Sequence, residues 1–183
     1  VIFSDFRHGI FSKNTNNKLI SSIPKKIFKV ADSQVASRWG NIADFKNFDL
    51  ITPNEREARF TLADQDSSIG ILSQKLKEQT NFKKLILKLG KRGVLCCDSN
   101  KKNSTYTVGS FVNKALDPVG AGDALLAYTT VVYLKTKNFV VASIIGSIAA
   151  ACECEINGNK TINIKDIIKK IKRIEEQAKL KYL

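Results

Sequence analysis

Short apolar runs that turn polar at their ends, separated by stretches of helical spacing, set the tightest limit on how this chain folds. Strands are expected at residues 1–6, 27–31, 50–52, 85–89, 94–98 and 104–111. Helical spacing covers 15–23, 54–63, 67–80, 121–134 and 139–152; in 67–80, Ile69, Leu72 and Leu76 share a face. A last helix follows Asn163, a cap with Asp166 three residues on. Its expected buried stripe is Ile164, Ile167, Ile168, Ile171 and Ile174, with its lysines on the wet face. Strands alternating with helices predict an α/β fold, a mostly parallel central sheet with helices on both faces. Ligands of such sheets gather beyond the carboxyl ends of the strands. Asp5, Asp32, Asn54 and Gly90 directly follow apolar runs and are expected to share a single crevice.

Composition narrows the class. A chain of 183 residues with 43% hydrophobic content can bury a core as one domain, taken here as residues 1–183. No apolar run approaches the ~20 residues that span a bilayer, and no secretory signal is visible, so no membrane partner and a cytoplasmic location are expected. The 183 residues include no methionine and open on Val1-Ile2-Phe3, which predicts a piece of a longer protein. Thirty basic against 17 acidic residues give a formal charge of +13, which suits phosphate ligands, nucleic acid or an anionic surface. Much of the excess lies in short runs such as Lys25-Lys26, Lys83-Lys84 and Lys101-Lys102, without interleaved aromatics. Solvated lysines are therefore preferred over a nucleic-acid surface, which stays the lesser alternative. Cys96, Cys97, Cys152 and Cys154 lack C-x-x-C spacing and read as free thiols in a reducing compartment.

The stretch richest in chemistry is Asp117-Pro118-Val119-Gly120-Ala121-Gly122-Asp123, which runs straight into an apolar helix. Glycines let a ligand approach the main chain, and unpaired amides at a helix start favour phosphate. An acid at the same place would repel an anion, so the role that fits Asp123 is taking a proton from a hydroxyl attacking that phosphate. A glycine turn with Asp123 as an ordinary cap would use the same residues.

The heptad resembles the D-[TP]-x-G-A-G-D signature of the ribokinase-like (PfkB) carbohydrate kinases. The resemblance implies Asp123 as catalytic base, Gly120, Ala121 and Gly122 as anion hole, and a three-layer ribokinase-like fold. It also implies that the N-terminal sugar-binding part and small β lid are missing from this sequence, and a homodimer of the full-length protein through that lid. Asn54 and Glu57 fall on the family's N-x-x-E motif, which orders the waters of Mg²⁺ beside ATP; a helix cap and capping box is the alternative for the same pair. Lys88-Leu89-Gly90-Lys91-Arg92-Gly93 is similar to the family's nucleotide-binding strand and loop, with Lys88 in place of a short hydroxyl residue. That assigns Lys88, Gly90 and Gly93 to the nucleotide, unless the glycines merely turn a hairpin. Ser147 and Gly158 are the counterparts nearest the adenine pocket. Asp117 matches an aspartate that in some relatives helps bind a monovalent cation, though capping its own turn ranks first.

Ser4-Asp5-Phe6-Arg7-His8-Gly9 and Val30-Ala31-Asp32-Ser33 are similar to segments of the family's heptose-phosphate kinases. Asp5, Arg7, His8, Asp32 and Arg38 are thereby candidates for a sugar or sugar-phosphate substrate. The implied activity is transfer of the γ-phosphate of MgATP to a sugar hydroxyl. A nucleotide-binding or scaffold protein derived from such a kinase is the alternative.

Overall fold

The computed structural model describes residues 1–6, 9–34, 42–101, 104–158 and 160–180. The chain divides into two compact units, Val1–Gly90 with Val94–Thr107, and Lys91–Gly93 with Val108–Leu183.

The first unit holds the sheet. Its strands are β1 (Ile2–Asp5), β2 (Val30–Ser33), β3 (Leu50–Ile51), β4 (Lys84–Lys88), β5 (Val94–Asp98) and β6 (Thr105–Val108), side by side in that order. β1 to β4 are parallel and β5 returns antiparallel to β4, so the sheet is mostly parallel, as expected. Parallel neighbours need crossovers, and these carry α1 (Lys13–Ser22) after β1, with α2 (Glu55–Leu62) and α3 (Ile69–Thr80) between β3 and β4. Phe3, Ala31, Ile51, Leu85 and Leu87 of the strands pack with Ala58, Leu72 and Leu76 of the helices. Phe3, Phe45 and Phe48 meet edge to face, with ring centroids 5.3 to 5.9 Å apart, the arrangement that aromatic quadrupoles favour.

Two expectations for this unit change. β2 begins at Val30 rather than at 27, because Ile27 closes a turn on the Pro24 carbonyl at 2.9 Å. Lys84 is not a surface lysine. It faces Asp98 across the β4–β5 ladder, donates to its Oδ1 at 3.1 Å, and both side chains are buried.

The second unit is helical, with α4 (Ala121–Thr136), α5 (Phe139–Cys154) and α6 (Ile164–Leu180). α4 and α5 approach closely at Gly146, where an added Cβ would stand 1.9 Å from Thr129 Oγ1 and 3.0 Å from the Leu125 carbonyl oxygen. The expected Asn163 cap of α6 is present: Asn163 Oδ1 accepts from Lys165 N–H at 2.9 Å, and Asp166 Oδ2 from Asn163 N–H at 2.8 Å. The apolar stripe of α6 is narrower than expected. Ile167 is buried and Ile171 and Ile174 pack beside it, one turn apart on one face, whereas Ile164 and Ile168 are exposed. Lys170, three residues after Ile167, shares that face. It is buried and donates to Glu155 Oε1 at 2.6 Å, so the lysines of this helix are not all on the wet side.

Among the described residues no helix is long and apolar enough to cross a membrane. The four cysteines are free; Cys96 and Cys152 are buried, and burial pushes the Cys152 and Cys154 thiols up from their ordinary range.

Candidate active site

The candidate residues fall into two groups, one in each unit. In the first unit, Asp5, Asp32, Asn54 and Gly90 all stand at or just past the carboxyl ends of β1 to β4. Those four strands are parallel and adjacent, and the register pairs Asp5 with Ser33 and Ser4 with Asp32. The residues therefore lie along one end of the sheet. Asp5 and Asp32 are buried.

Lys88 ends β4 with its ammonium 3.0 Å from each oxygen of Asp32. The side chains are 17% and 4% exposed, so this is a nearly desolvated bidentate pair. Lys88, expected at the nucleotide, and Asp32, expected at the substrate, engage each other here. Removing one partner of such a pair strands the other charge. Lys88→Met is expected to lower stability by about 2–4 kcal/mol, more than Asp32→Asn, as read by urea unfolding. A loss below about 1 kcal/mol for Lys88→Met would show that the pair contributes little.

Asn54 caps α2. Its Oδ1 accepts from Glu57 N–H at 2.8 Å, while its own N–H donates to Glu57 Oε2 at 2.7 Å and its Nδ2 to Oε1 at 2.6 Å. This reciprocal arrangement is a capping box, which satisfies orphan amides of the helix start. It also buries Glu57 and fixes its carboxylate. Ionised, that carboxylate offers only acceptors, the chemistry that orders metal-bound water.

Two hydroxyls at this end escape a reading of the sequence. Ser33 Oγ and Thr52 Oγ1, at the ends of β2 and β3, are buried without hydrogen-bond partners among the described residues. The signal was available, since both are polar residues at the ends of apolar strands. Arg7, His8 and Arg38 lie outside the described residues.

The second group surrounds the start of α4. Gly120 is its N-cap with φ +84° and ψ −19°, and no side chain caps the helix. That left-handed backbone is open to glycine at little cost. Ala121 N–H reaches back to the Pro118 carbonyl at 3.3 Å, and Ala124 N–H to Gly120 at 2.9 Å. The Gly120 and Gly122 amides make no hydrogen bond among the described residues. Asp123 stands half-buried in the first turn. Asp117 caps its own turn, its Oδ1 accepting from Val119 N–H at 3.0 Å.

Of the expected nucleotide contacts in this unit, Ser147 lies on α5 with its Oγ buried and unpartnered among the described residues. Gly158 is exposed, with φ +79° and open space beside it. Gly93 has a structural reason to be glycine: φ is +85°, and a Cβ would fall 2.1 Å from the Val108 carbonyl oxygen. Gly90 also has a positive φ, +60°, but nothing lies within 4 Å of its Cβ position. The strands on either side of this loop, β4 and β5, form the hairpin that the glycines were alternatively expected to turn. Glu153, on α5 beside Gly120, was overlooked; its only sequence signal is an acid inside a small, apolar helical run.

Known proteins resemble this chain along most of its length. It is 27% identical over 145 residues to the bifunctional protein HldE of Marinomonas sp. (strain MWYL1), covering 78% of this chain and 29% of that protein. Among solved structures, ribokinase from Thermotoga maritima superposes with a TM-score of 0.76 at 23% identity, over 93% of this chain and 56% of that one. Arabidopsis thaliana ribokinase complexed with ribose and ATP gives 0.77 at 19% identity, over 94% and 55%. The chain thus spans about a third of that curated relative and about half of each solved one. The fold is the ribokinase-like α/β fold. The family pattern of the pfkB carbohydrate kinases matches residues 12–165, and the chain belongs to that family.

Proposed function

We propose that this chain is the nucleotide-binding and catalytic part of an ATP-dependent sugar or sugar-phosphate kinase, with heptose phosphates the favoured substrate class. One observation carries the reading. α4 opens on a left-handed glycine with no side-chain cap, the Gly120 and Gly122 amides make no hydrogen bond, and a carboxylate stands in the first turn. Such a helix start attracts phosphate through its amides and its partial positive charge.

In the proposed reaction the Asp123 carboxylate takes the proton of the acceptor hydroxyl. The hydroxyl oxygen forms a bond to the γ-phosphorus of ATP as the bond to the β-phosphate oxygen breaks, and ADP leaves with that electron pair. The unbonded Gly120 and Gly122 amides stabilise the charge developing on the transferred group, an effect worth about 3–4 kcal/mol per donor in comparable oxyanion sites, with Ala121 between them completing the turn. Magnesium, when bound with ATP, neutralises phosphate charge. Asn54 and Glu57 would hold it through its water shell, which suits an ion that keeps several waters. Ser147 and Gly158 are proposed for the adenine end, Lys88, Gly90 and Gly93 for the rest of the nucleotide, and Asp5, Arg7, His8, Asp32 and Arg38 for the sugar. A monovalent cation at Asp117 and homodimerisation of the full-length protein belong to the same proposal.

Calorimetry of the full-length protein with MgATP, followed by a phosphotransfer assay over heptose phosphates and common sugars, tests the reading. Micromolar to millimolar MgATP binding with turnover of at least one sugar is expected. Binding without turnover of any of them would favour a scaffold protein, and absence of binding would end the proposal.

A further inference from the structure

Glu153 sits in the last turn of α5 and is 6% exposed. Its carboxylate makes no hydrogen bond and no ion pair among the described residues. The side chain lies against the start of α4: a Cβ on Gly120 would stand 3.0 Å from its Oε1 and 3.4 Å from its Cγ and Cδ. A buried carboxylate is costly unless something offsets its charge. The nearby groups do not. Asp117 is another acid, and Glu155 is already engaged by Lys170 at 2.6 Å and by Asn113 N–H at 2.7 Å. Cys154 registers this negative surrounding: after burial, Glu155, Glu153 and Asp117 each push its thiol further up. What remains to offset Glu153 is the amino-terminal end of α4, where the Gly120 and Gly122 amides are unbonded.

Two anions cannot share one helix start without mutual repulsion. At separations of a few ångströms this exceeds thermal energy several-fold, even with partial screening. We infer that Glu153 is a specificity-determining residue at the start of α4: it opposes a bare phosphate anion there and admits a phosphoryl group that arrives complexed with a cation. The inference rests on the proposed phosphoryl site.

Inorganic phosphate is the probe, titrated calorimetrically into the full chain and its Glu153→Gln variant, with and without magnesium. Glu153→Ala serves as a second variant should the glutamine form not fold. Without magnesium, the variant is expected to bind phosphate about tenfold more tightly than the parent. With magnesium, the gap should shrink to less than about threefold, since the cation screens the carboxylate in the parent alone. A purely structural role for Glu153 would shift the melting temperature but not this magnesium dependence. Equal affinities in parent and variant, or a gap indifferent to magnesium, would overturn the inference and leave the phosphoryl site standing. Failure of every form to bind phosphate under both conditions would overturn the site and the inference together.

Discussion

Asp123→Asn is expected to lower kcat for sugar phosphorylation by about 10²–10⁴-fold, the range that a positioned general base contributes. The amide keeps the size of the carboxylate but cannot take the hydroxyl proton. Because the change leaves the Gly120–Gly122 backbone untouched, MgATP affinity should stay within about threefold. Asp123 also lies in the first turn of α4, where a negative charge favours the helix by about 0.3–1 kcal/mol. A fall of a few degrees in melting temperature is therefore expected, too small to account for the lost rate. Single-turnover kinetics on the full-length enzyme, run beside a thermal melt, separate the two effects. Retention of more than a tenth of the parental rate would remove Asp123 from the role of base.

Gly93→Ala and Gly90→Ala are expected to diverge sharply although both glycines have a positive φ. At Gly90 the new methyl enters open space, and the cost is that of a left-handed backbone for an L-residue, about 1–2 kcal/mol. At Gly93 the methyl would meet the Val108 carbonyl oxygen at 2.1 Å, the Gly109 carbonyl carbon at 2.7 Å and the Ser110 nitrogen at 2.8 Å. Those are backbone atoms and cannot rotate away. The cost there should exceed about 4 kcal/mol, the range reached only by severe overpacking with strain. Urea unfolding of the two variants measures the difference. The same pair sorts their roles in binding: if Gly90 meets the nucleotide, its well-folded alanine variant should bind MgATP more weakly. A Gly93→Ala protein as stable as Gly90→Ala would mean that the backbone contact at Val108 is not real.

Local sequence carried much of this organisation. The start of α4 could be placed because glycines at 120 and 122 precede an apolar helical run, and the caps at Asn54 and Asn163 because their partners lie three residues away. Each depends on neighbours along the chain. The Lys88–Asp32 pair depends instead on two strands 56 residues apart coming into one sheet, with β3 between them. No spacing in the sequence encodes that. The same holds for Lys84 and Lys170, which look like solvated lysines until a ladder or a helix face sets an acid opposite them. Glu153 was hidden for a related reason: it lies against the bare backbone at Gly120, and glycine leaves no side chain to signal a contact.

The meeting of Gly146 with Thr129 fixes more than the spacing of α4 and α5. Sliding either helix by a turn, ~5.4 Å, would bring Ala142 or Ala150 opposite Thr129, and a methyl group has no room there. The two helices are therefore keyed to one longitudinal setting. Gly120 and Glu153 lie at the same end of that pair, each within about 15 Å of the key along its own helix. A single hydrogen in place of a side chain at position 146 thus sets the distance between an acid and the glycine it faces.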